Sequence, residues 1–258
     1  MHSQPLNTAA DVMVAQAERN LQRDLPLFIE QGEHNLHVCI VGGAPSLADT
    51  LPALRFHKAR GHLVAALNGT HDWLIARGIV PDMHVMLDAR QANVEFVRHP
   101  QRGVTYMPAA QCHPDVFDAL AGHDVLMWVA DVPGMRELAD RVEKPLGLIG
   151  GGSTVGLKAM ALLSLWGFRA MSLFGFDSCY REESHHAYAQ PLNDGERRID
   201  SIIHGRRFSC APWMLAQADD FDADARRLID RGVTLKAYGS GLIQTLLDQI
   251  HKEQRHAA

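Results

Sequence analysis

The sequence predicts an α/β fold, a Rossmann-like and doubly wound, mostly parallel sheet with helices on both faces. Short apolar runs alternate along the chain with longer stretches of helical character, which is typical of parallel strands that are buried on both sides. The runs stop at or close to glycine, asparagine, aspartate or proline, residues that favour turns. We therefore expect an N-terminal helical arm (1–32) and a nucleotide-binding domain (33–258) that contains a polar insertion (178–212).

Seven strands are predicted where the chain is apolar without helical spacing. In chain order they are 36–41, 63–67, 83–87, 104–107, 125–129, 171–174 and 233–237. Ligands of such sheets bind beyond the carboxyl ends of the strands, near the point where the strand order reverses. The residues that follow each strand are therefore the first candidates for a functional site.

The helices are predicted from apolar spacing and from glycine stops. Residues 9–29 have mixed helical spacings and precede Gly32, and they form the predicted arm. The strongest later helix is 153–166, with Val155, Ala159 and Leu162 on one face and Gly167 as its stop. The remaining predicted helices are 71–77, 114–120, 134–142, 219–230 and 242–252.

Composition narrows the class of protein. The chain has 258 residues, a formal net charge of −5 and 47% hydrophobic residues, which is typical of a globular domain. The mild acidity argues against a nucleic-acid partner, which needs a basic surface. Four separated cysteines match no zinc template, and Cys39 is interpreted as a small buried hydrophobe. The sequence predicts no secretory signal and no membrane span, so we expect a cytoplasmic protein.

Two loops after the first strands have the composition of close-approach turns. Gly42-Gly43-Ala44-Pro45-Ser46 follows the first strand, where its glycines would let the backbone approach a ligand and Ser46 would cap the next helix. Asn68 and Gly69 follow the second strand. A plain tight turn explains either loop equally simply. Neither loop matches a dinucleotide fingerprint or a Walker A loop.

A third glycine-rich turn precedes the strongest helix. Gly150 and Gly151 lead to Gly152, Ser153 and Thr154. Free backbone N–H groups, the positive end of the helix dipole and two hydroxyls would together form an anion site. A flexible hinge is the simpler alternative. We predict that a phosphate-bearing ligand lies between this turn and the Gly42–Ser46 turn.

Acidic residues and histidines mark two other strand ends. Asp88 follows the third strand, on the ligand side, whereas Asp82 precedes it and lies about 20 Å away, too far to form a dyad with Asp88. Asp177 follows the sixth strand, and His185 and His186 come eight and nine residues later. A carboxylate with nearby histidines is typical of acid–base or metal chemistry.

The polar insertion 178–212 is predicted to be a lid that carries His186 into the site. Its charge is the reason: it contains Arg181, Arg197, Arg198, Arg206 and Arg207. A core element does not tolerate such a density of charge, whereas a segment that closes over phosphates would use it. A disordered surface excursion is the alternative.

The order of these pieces resembles one family, the MptE-like domain of the 6-hydroxymethylpterin diphosphokinase type. The same domain occurs in the Maf motility accessory factors, and it is similar to bacterial sialyltransferases that use a CMP-sugar. The resemblance is carried by Asn20-Leu21 and Leu25-Pro26-Leu27-Phe28, by Gly42-Gly43-Ala44-Pro45-Ser46-Leu47, by Gly78-Ile79-Val80-Pro81-Asp82 with Asp88, by Gly151-Gly152-Ser153-Thr154-Val155, by Gly175-Phe176-Asp177, by His186, and by Gly232-Val233 with Gly239. Ala44 is a departure, because the family often has a further glycine there.

The resemblance implies a nucleotide-dependent transferase with a small-molecule acceptor. In one interpretation ATP donates diphosphate to a pterin-type alcohol, Mg²⁺ is held by Asp88 or Asp177, and the glycine turns hold the phosphates. In the alternative, a nucleotide-sugar of the CMP type lies on the same turns and His186 acts as the acid or base, with Asp177 beside it. A third interpretation is a nucleotide-binding module without catalysis. The helical arm could also pack on a second subunit.

Overall fold

The computed structural model describes residues 7–143, 145–188 and 196–257. Its α-helices are α1 Ala10–Leu21, α2 Leu47–Ala59, α3 Thr70–Ile75, α4 Pro114–Ala119, α5 Met135–Arg141, α6 Val155–Leu165, α7 Pro212–Asp230 and α8 Leu242–Ala257. A 3-10 helix covers Gln91–Val97. Its strands are β1 His34–Val41, β2 Leu63–Leu67, β3 Met83–Met86, β4 Thr105–Pro108, β5 Asp124–Val125, β6 Val129–Ala130, β7 Leu148–Ile149, β8 Phe168–Phe174, β9 Ile199–Ile203, β10 Arg206–Cys210 and β11 Thr234–Tyr238.

Seven strands form one parallel sheet in the order β11-β8-β1-β2-β3-β4-β5. From β1 the chain builds outward through β2 to β5, and it then returns to place β8 on the other side of β1. The strand order therefore reverses between β1 and β8, and a crevice at their carboxyl ends is where such sheets bind ligands. The predicted Rossmann-like α/β class is confirmed.

Alternate residues of the central strands belong to two separate cores. Val38 and Ile40 of β1 belong to the larger core, which includes residues of α1 and α4 to α8. Cys39 and Val41 belong to the smaller core, with residues of α2 and α3. Successive side chains of a strand point to opposite faces, so this division shows that helices cover both faces of the sheet. That cover explains why the strands read as continuous apolar runs.

Several predicted element bounds are wrong. The first helix ends at Leu21 rather than at 29, because Phe28 N–H donates to the carbonyl of Met127 and draws the chain into an extended path. The predicted strand 125–129 is two short strands: β5 pairs with β4, and β6 pairs with β7. An apolar run cannot reveal that its two ends pair with different partners. Helix α2 follows Ser46 as expected, but its bounds were not predicted, since Pro52 interrupts its pattern. The Ser46 side chain does not cap the helix and donates to Asp177 instead.

The polar insertion also differs from the prediction of a long irregular loop. It contains the antiparallel pair of β9 and β10, and α7 begins at Pro212 rather than at 219. Residues 189–195, which belong to the same segment, lie outside the described residues. Arg181, Arg198 and Arg206 bind Asp49, Glu183 and Thr245. The lid movement itself stays a prediction.

The N-terminal helix packs on the body of the protein. Met13, Ala17 and Leu21 are buried, and the Asn20 side-chain amide donates to the carbonyls of Ala110 and Cys112. The division of the chain at residue 32 and the role of the arm in an oligomer stay predictions. In the described part of the chain, every helix is too short or too polar to cross a membrane.

Candidate functional site

The carboxyl ends of β1 and β8 meet so closely that only glycine fits. Gly42 N–H donates to the Phe174 carbonyl at 2.8 Å, and Ala44 N–H donates to the Gly175 carbonyl at 3.1 Å. A Cβ on Gly42 would lie 2.6 Å from the Gly175 oxygen, and Gly175 has a φ of +63° that favours glycine. The two predicted loops therefore form one junction at the reversal point of the sheet.

A pocket opens over this junction. Its floor is Gly42, Gly43, Gly175 and Phe176, and its walls come from the β2 end, the α6 start, the segment 185–188 and the α7 start. Ala187 N–H donates to the Gly43 carbonyl at 2.8 Å, which fixes the segment 185–188 over the glycine turn. The wall residues are Ala44, Leu67, Asn68, Thr154, Val155, Gly156, Asp177, Ser178, Cys179, His185, His186, Tyr188, Trp213, Met214 and Gln217.

Five buried side-chain atoms in this pocket have no hydrogen-bond partner in the described part of the protein. They are Asn68 Oδ1, Thr154 Oγ1, Ser178 Oγ, His185 Nε2 and His186 Nδ1. An unpaired buried polar atom costs about 1–3 kcal/mol, so native proteins rarely collect such atoms in one place. Asn68 and Ser178 also have positive φ angles, +46° and +48°, and strain of this kind is frequent at binding sites.

His186 is held in the pocket in its neutral form. Burial, with a smaller contribution from the neighbouring His185, lowers the pKa of His186 to about 4. Its ring lies beside Gly43, where a Cβ would be 2.9 Å from His186 Cδ2. A neutral imidazole with an unpartnered nitrogen can accept a proton from a ligand. The structure places His186 next to the glycine turn, and its catalytic role stays a prediction.

Asp177 lines the same pocket but is committed to Ser46. One carboxylate oxygen accepts the Ser46 N–H at 2.7 Å, and the other accepts the Ser46 hydroxyl. The Asp177 carbonyl accepts the Leu242 N–H at 2.8 Å. Burial raises the pKa of Asp177, and the two Ser46 bonds oppose that shift. Asp177 thus joins the starts of α2 and α8, and its proposed role in catalysis or metal binding stays a prediction.

The turn at 150–153 does not line this pocket. The Gly152 N–H donates to Asp224 at 2.7 Å, and the Ser153 N–H and hydroxyl donate to Asp220 at 3.1 and 2.9 Å. Both carboxylates come from α7, so they occupy the donors that an anion would need and repel a second negative charge. The predicted anion role of Gly151, Gly152 and Ser153 stays untested, and the structure does not bring them together with Gly42 and Gly43.

Within the glycine-rich segment 150–154, Thr154 is the one residue that lines the pocket. It stands just before α6, whose first main-chain bond runs from Lys158 N–H to the Thr154 carbonyl. The N–H groups of Val155 and Gly156 precede that bond and have no partner within the helix. Both residues line the pocket, so the start of α6 forms part of its wall.

The other predicted residues lie around this site. Asn68 lines the pocket, whereas Gly69 lies behind Tyr188, whose Cε2 would be 3.3 Å from a Cβ there. Ser46 is buried beneath Asp177. Asp88 is outside the pocket lining and binds the Arg90 guanidinium, with Oδ2 to Nε at 2.9 Å.

Magnesium finds no converged ligand set here in the described residues. Asp88 and Asp177 belong to different places, and each already accepts hydrogen bonds from a neighbouring residue. Among the described residues, Asp177 is also the only acidic side chain of the pocket lining, and no lysine or arginine lines it. The residues present do not fit a magnesium–polyphosphate centre.

Sequence reasoning missed Tyr188, Trp213 and Gln217. Tyr188 contacts Thr70, with 3.3 Å between the hydroxyl oxygens, and burial raises the pKa of its phenol. Trp213 and Gln217 lie in the first turns of α7. No local pattern marks Tyr188, but the Ala211-Pro212 boundary is a helix start that could have been predicted from the proline.

Fold and site define a Rossmann-like α/β protein with a candidate ligand pocket at the reversal point of its sheet. The chain belongs to the MptE-like family: the family model described as 6-hydroxymethylpterin diphosphokinase MptE-like matches residues 12–183. No curated protein matches the sequence.

A solved structure shares the fold. The Maf glycosyltransferase from Magnetospirillum magneticum AMB-1 is similar with a TM-score of 0.66 and 19% sequence identity. The match covers 97% of this chain and 43% of that chain, so this chain spans less than half the length of that protein.

Proposed function

We propose that the protein is a glycosyltransferase that uses a nucleotide-activated sugar, of the CMP-sugar type. The observation that carries the proposal is the pocket itself: five of its lining residues have a buried side-chain polar atom without a partner, and no described lining residue is a lysine or an arginine. A donor that leaves as a nucleoside monophosphate develops one further negative charge on a single phosphate, which main-chain amides at a helix start can stabilise. The fold shared with a Maf glycosyltransferase supports the same class of reaction.

The leaving phosphate is proposed to lie at the start of α6. Thr154, Val155 and Gly156 line the pocket at the N-terminal end of α6, where free amides and the positive end of the helix dipole favour an anion. Gly43 adds an N–H group without an acceptor in the described chain. Donors fixed before the reaction stabilise developing negative charge at little reorganisation cost.

His186 is proposed to act on the acceptor. The acceptor hydroxyl oxygen forms a bond to the anomeric carbon as the bond from that carbon to the phosphate oxygen breaks. The bonding electrons leave with the nucleoside monophosphate, and the hydroxyl proton passes to His186, which is neutral at pH 7 because burial lowers its pKa to about 4. Gly43 keeps this ring close to the phosphate site.

Diphosphate transfer from ATP to a pterin-type alcohol is the second candidate, and the description of the family favours it. That reaction places large charge on the β- and γ-phosphates, which divalent ions and cationic side chains normally neutralise. The described lining of the pocket contains neither a lysine nor an arginine. For this reason the sugar transfer is the proposal that we prefer.

A thermal-shift panel separates the candidates. We would measure Tm with CMP, CMP-sialic acid, CTP, GTP and ATP, each with Mg²⁺ or with EDTA. A ligand at 100 times its Kd adds about 2.7 kcal/mol, or about 5–10 °C for a chain of this size. We expect CMP and CMP-sialic acid each to raise Tm by the same amount with EDTA as with Mg²⁺. A shift by ATP alone, dependent on Mg²⁺, would establish the diphosphokinase interpretation instead.

A further inference from the structure

Four potential metal ligands converge on the α2 side of the sheet, away from the pocket. They are His37, Cys39, His57 and His62, and one ligand atom from each lies within 4.8 Å of the others. His37 and Cys39 are two residues apart on β1 and share a face. His57 lies in the last turn of α2, and His62 precedes β2. His37 is five residues from Gly42, about 16 Å along the strand.

We propose that these four residues bind a transition-metal ion of the zinc class. Three imidazole nitrogens and one thiolate form a donor set that suits Zn²⁺. Ligand atoms of a tetrahedral zinc site stand about 3.3–3.8 Å apart. His57 Nδ1 and His62 Nδ1 are 2.8 Å apart, so an ion between them needs only a small separation of the two rings.

Outer hydrogen bonds already orient two of the three histidines. The Nε2 of His57 is 2.8 Å from the Tyr238 hydroxyl, and the Nε2 of His37 is 2.9 Å from the Ser172 hydroxyl. The Tyr238 ring stacks on Phe174 with centroids 4.4 Å apart, which fixes its position. Histidines that ligate metals commonly bind an outer partner through the second ring nitrogen. Both rings are therefore held as a metal site requires, with Nδ1 left for the ion.

The protonation states suit coordination. Burial and the neighbouring imidazoles lower the pKa of His37 to about 4, and burial, His62, Lys236 and Arg60 lower the pKa of His57. Both rings are thus neutral at pH 7, the form that binds metals. Burial raises the pKa of the Cys39 thiol to about 12. The ion displaces the thiol proton, so binding releases one proton to solvent.

One ring must turn when the ion binds. His37 and His62 stack with centroids 4.2 Å apart and an angle of 10° between their planes, and two parallel planes cannot both contain one ion. His62 is half-exposed and lies in the turn between α2 and β2. His62 is therefore the ligand that rotates.

The test uses the untagged full chain after treatment with a chelator. Zn²⁺ is titrated by calorimetry, and Co²⁺ is added as a spectroscopic probe of the same site. We expect stoichiometric Zn²⁺ binding, visible Co²⁺ bands of four-coordinate intensity, and a thiolate charge-transfer band in the near ultraviolet. Because one proton is displaced, the apparent Kd for Zn²⁺ should fall about tenfold per pH unit around neutrality. Tyr238→Phe should weaken binding about 10–100-fold by freeing the His57 ring.

Matched variants make the result specific. Cys39→Ser should lose the charge-transfer band, while Cys112→Ser, at an equally buried cysteine, should keep it. His57→Gln should lose Zn²⁺ binding, and the exposed His256→Gln should not. If His57→Gln fails to fold, the half-exposed His62→Gln replaces it. Wild-type protein without stoichiometric Zn²⁺ binding, or Co²⁺ spectra without a thiolate band, would show a hydrogen-bonded histidine network only and would overturn the proposal.

Discussion

Two glycine-rich turns of this protein have similar composition and opposite surroundings. The turn at Gly42-Gly43 faces a pocket, and the Gly43 N–H has no acceptor in the described chain. The turn at 150–153 faces α7, and carboxylates of Asp220 and Asp224 take its N–H groups. Each turn connects a strand to a helix: the first lies between β1 and α2, and the second lies between β7 and α6. What differs is the side chain opposite the amides.

This difference shows that glycine content alone does not make an anion site. Glycine lets a backbone approach a partner closely, but the partner can be part of the protein itself. At 150–153 the fold supplies two internal anions that satisfy the turn. At Gly43 it supplies His186 and Tyr188, which are neutral at pH 7 and leave the amide available. Four substitutions and one pH series test whether the two turns differ in this way.

The largest effect is expected from His186→Gln, at the open turn. If His186 takes the acceptor proton, the variant should lose about 10²–10⁴-fold in kcat, the usual contribution of a general base. Ligand affinity by calorimetry should change little, because the glutamine keeps the size and polarity of the side chain. His99→Gln, at an exposed histidine outside the pocket, is the control. Equal turnover in the two variants would remove His186 from the mechanism.

The next effect concerns Gly43. A Cβ there would meet the Tyr188 hydroxyl and His186 Cδ2, so Gly43→Ala should push both side chains and weaken ligand binding about 100-fold, near 2.7 kcal/mol. Folding should persist because the displaced atoms are the ends of side chains. Gly150→Ala is the matched control at the closed turn, since nothing lies within 4 Å of its Cβ. Similar affinities for both variants would contradict the placement of the ligand.

A stability effect is expected at the closed turn. Asp224→Ala leaves the Gly152 N–H unpaired in a part-buried place, which should lower the free energy of unfolding by about 1–3 kcal/mol. Ligand affinity should not change. Asp222→Ala, on the same helix, removes only a surface pair with Arg226 and should cost less than about 1 kcal/mol. Urea unfolding measures both. A gain of anion binding in Asp224→Ala would show that the turn is a masked anion site.

The smallest substitution effect is expected at Thr154, which follows the turn at 150–153 and lines the pocket. Thr154→Val removes a buried hydroxyl that has no partner in the described chain and keeps the shape of the side chain. Ligand binding should weaken by about 0.5–1.5 kcal/mol, and stability should stay equal or rise. Ser153→Ala is the control, because its hydroxyl binds Asp220 rather than the pocket. Calorimetric titration that finds a larger loss for Ser153→Ala would place the ligand at the closed turn.

The pH dependence of stability gives an independent check on His186. Its folded pKa is about 4, below the ordinary value of 6.5 for histidine, so the unfolded state binds the proton first as pH falls. Stability from this group is therefore complete above pH 6.5 and is lost as pH falls from 6.5 to 4. In His186→Gln the loss of stability over this window should be smaller than in the wild type. If the urea midpoints of His186→Gln and of the wild type fall by the same amount between pH 6.5 and pH 4, His186 is not buried in its neutral form.

The class of fold and the two loops that meet at the pocket were predictable from local sequence patterns. Apolar runs and their glycine stops are local, and they reflect strands buried on both faces, so β1, β8 and the turns at Gly42 and Gly175 were predictable. The bounds of the strands and helices were less predictable. The run 125–129 pairs with two different strands, a choice that depends on partners and not on the run.

Which glycine turn keeps a free N–H group depends on the tertiary structure. The carboxylate that closes Gly152 comes from Asp224, 72 residues away, and the one that holds Ser46 comes from Asp177, 131 residues away. The histidine cluster likewise depends on Tyr238, 181 residues from His57. Periodicity and spacing report neighbours along the chain, whereas the charge opposite an amide is set by the packing of distant helices. For this reason the sequence could name the glycines but could not tell which of them face a ligand.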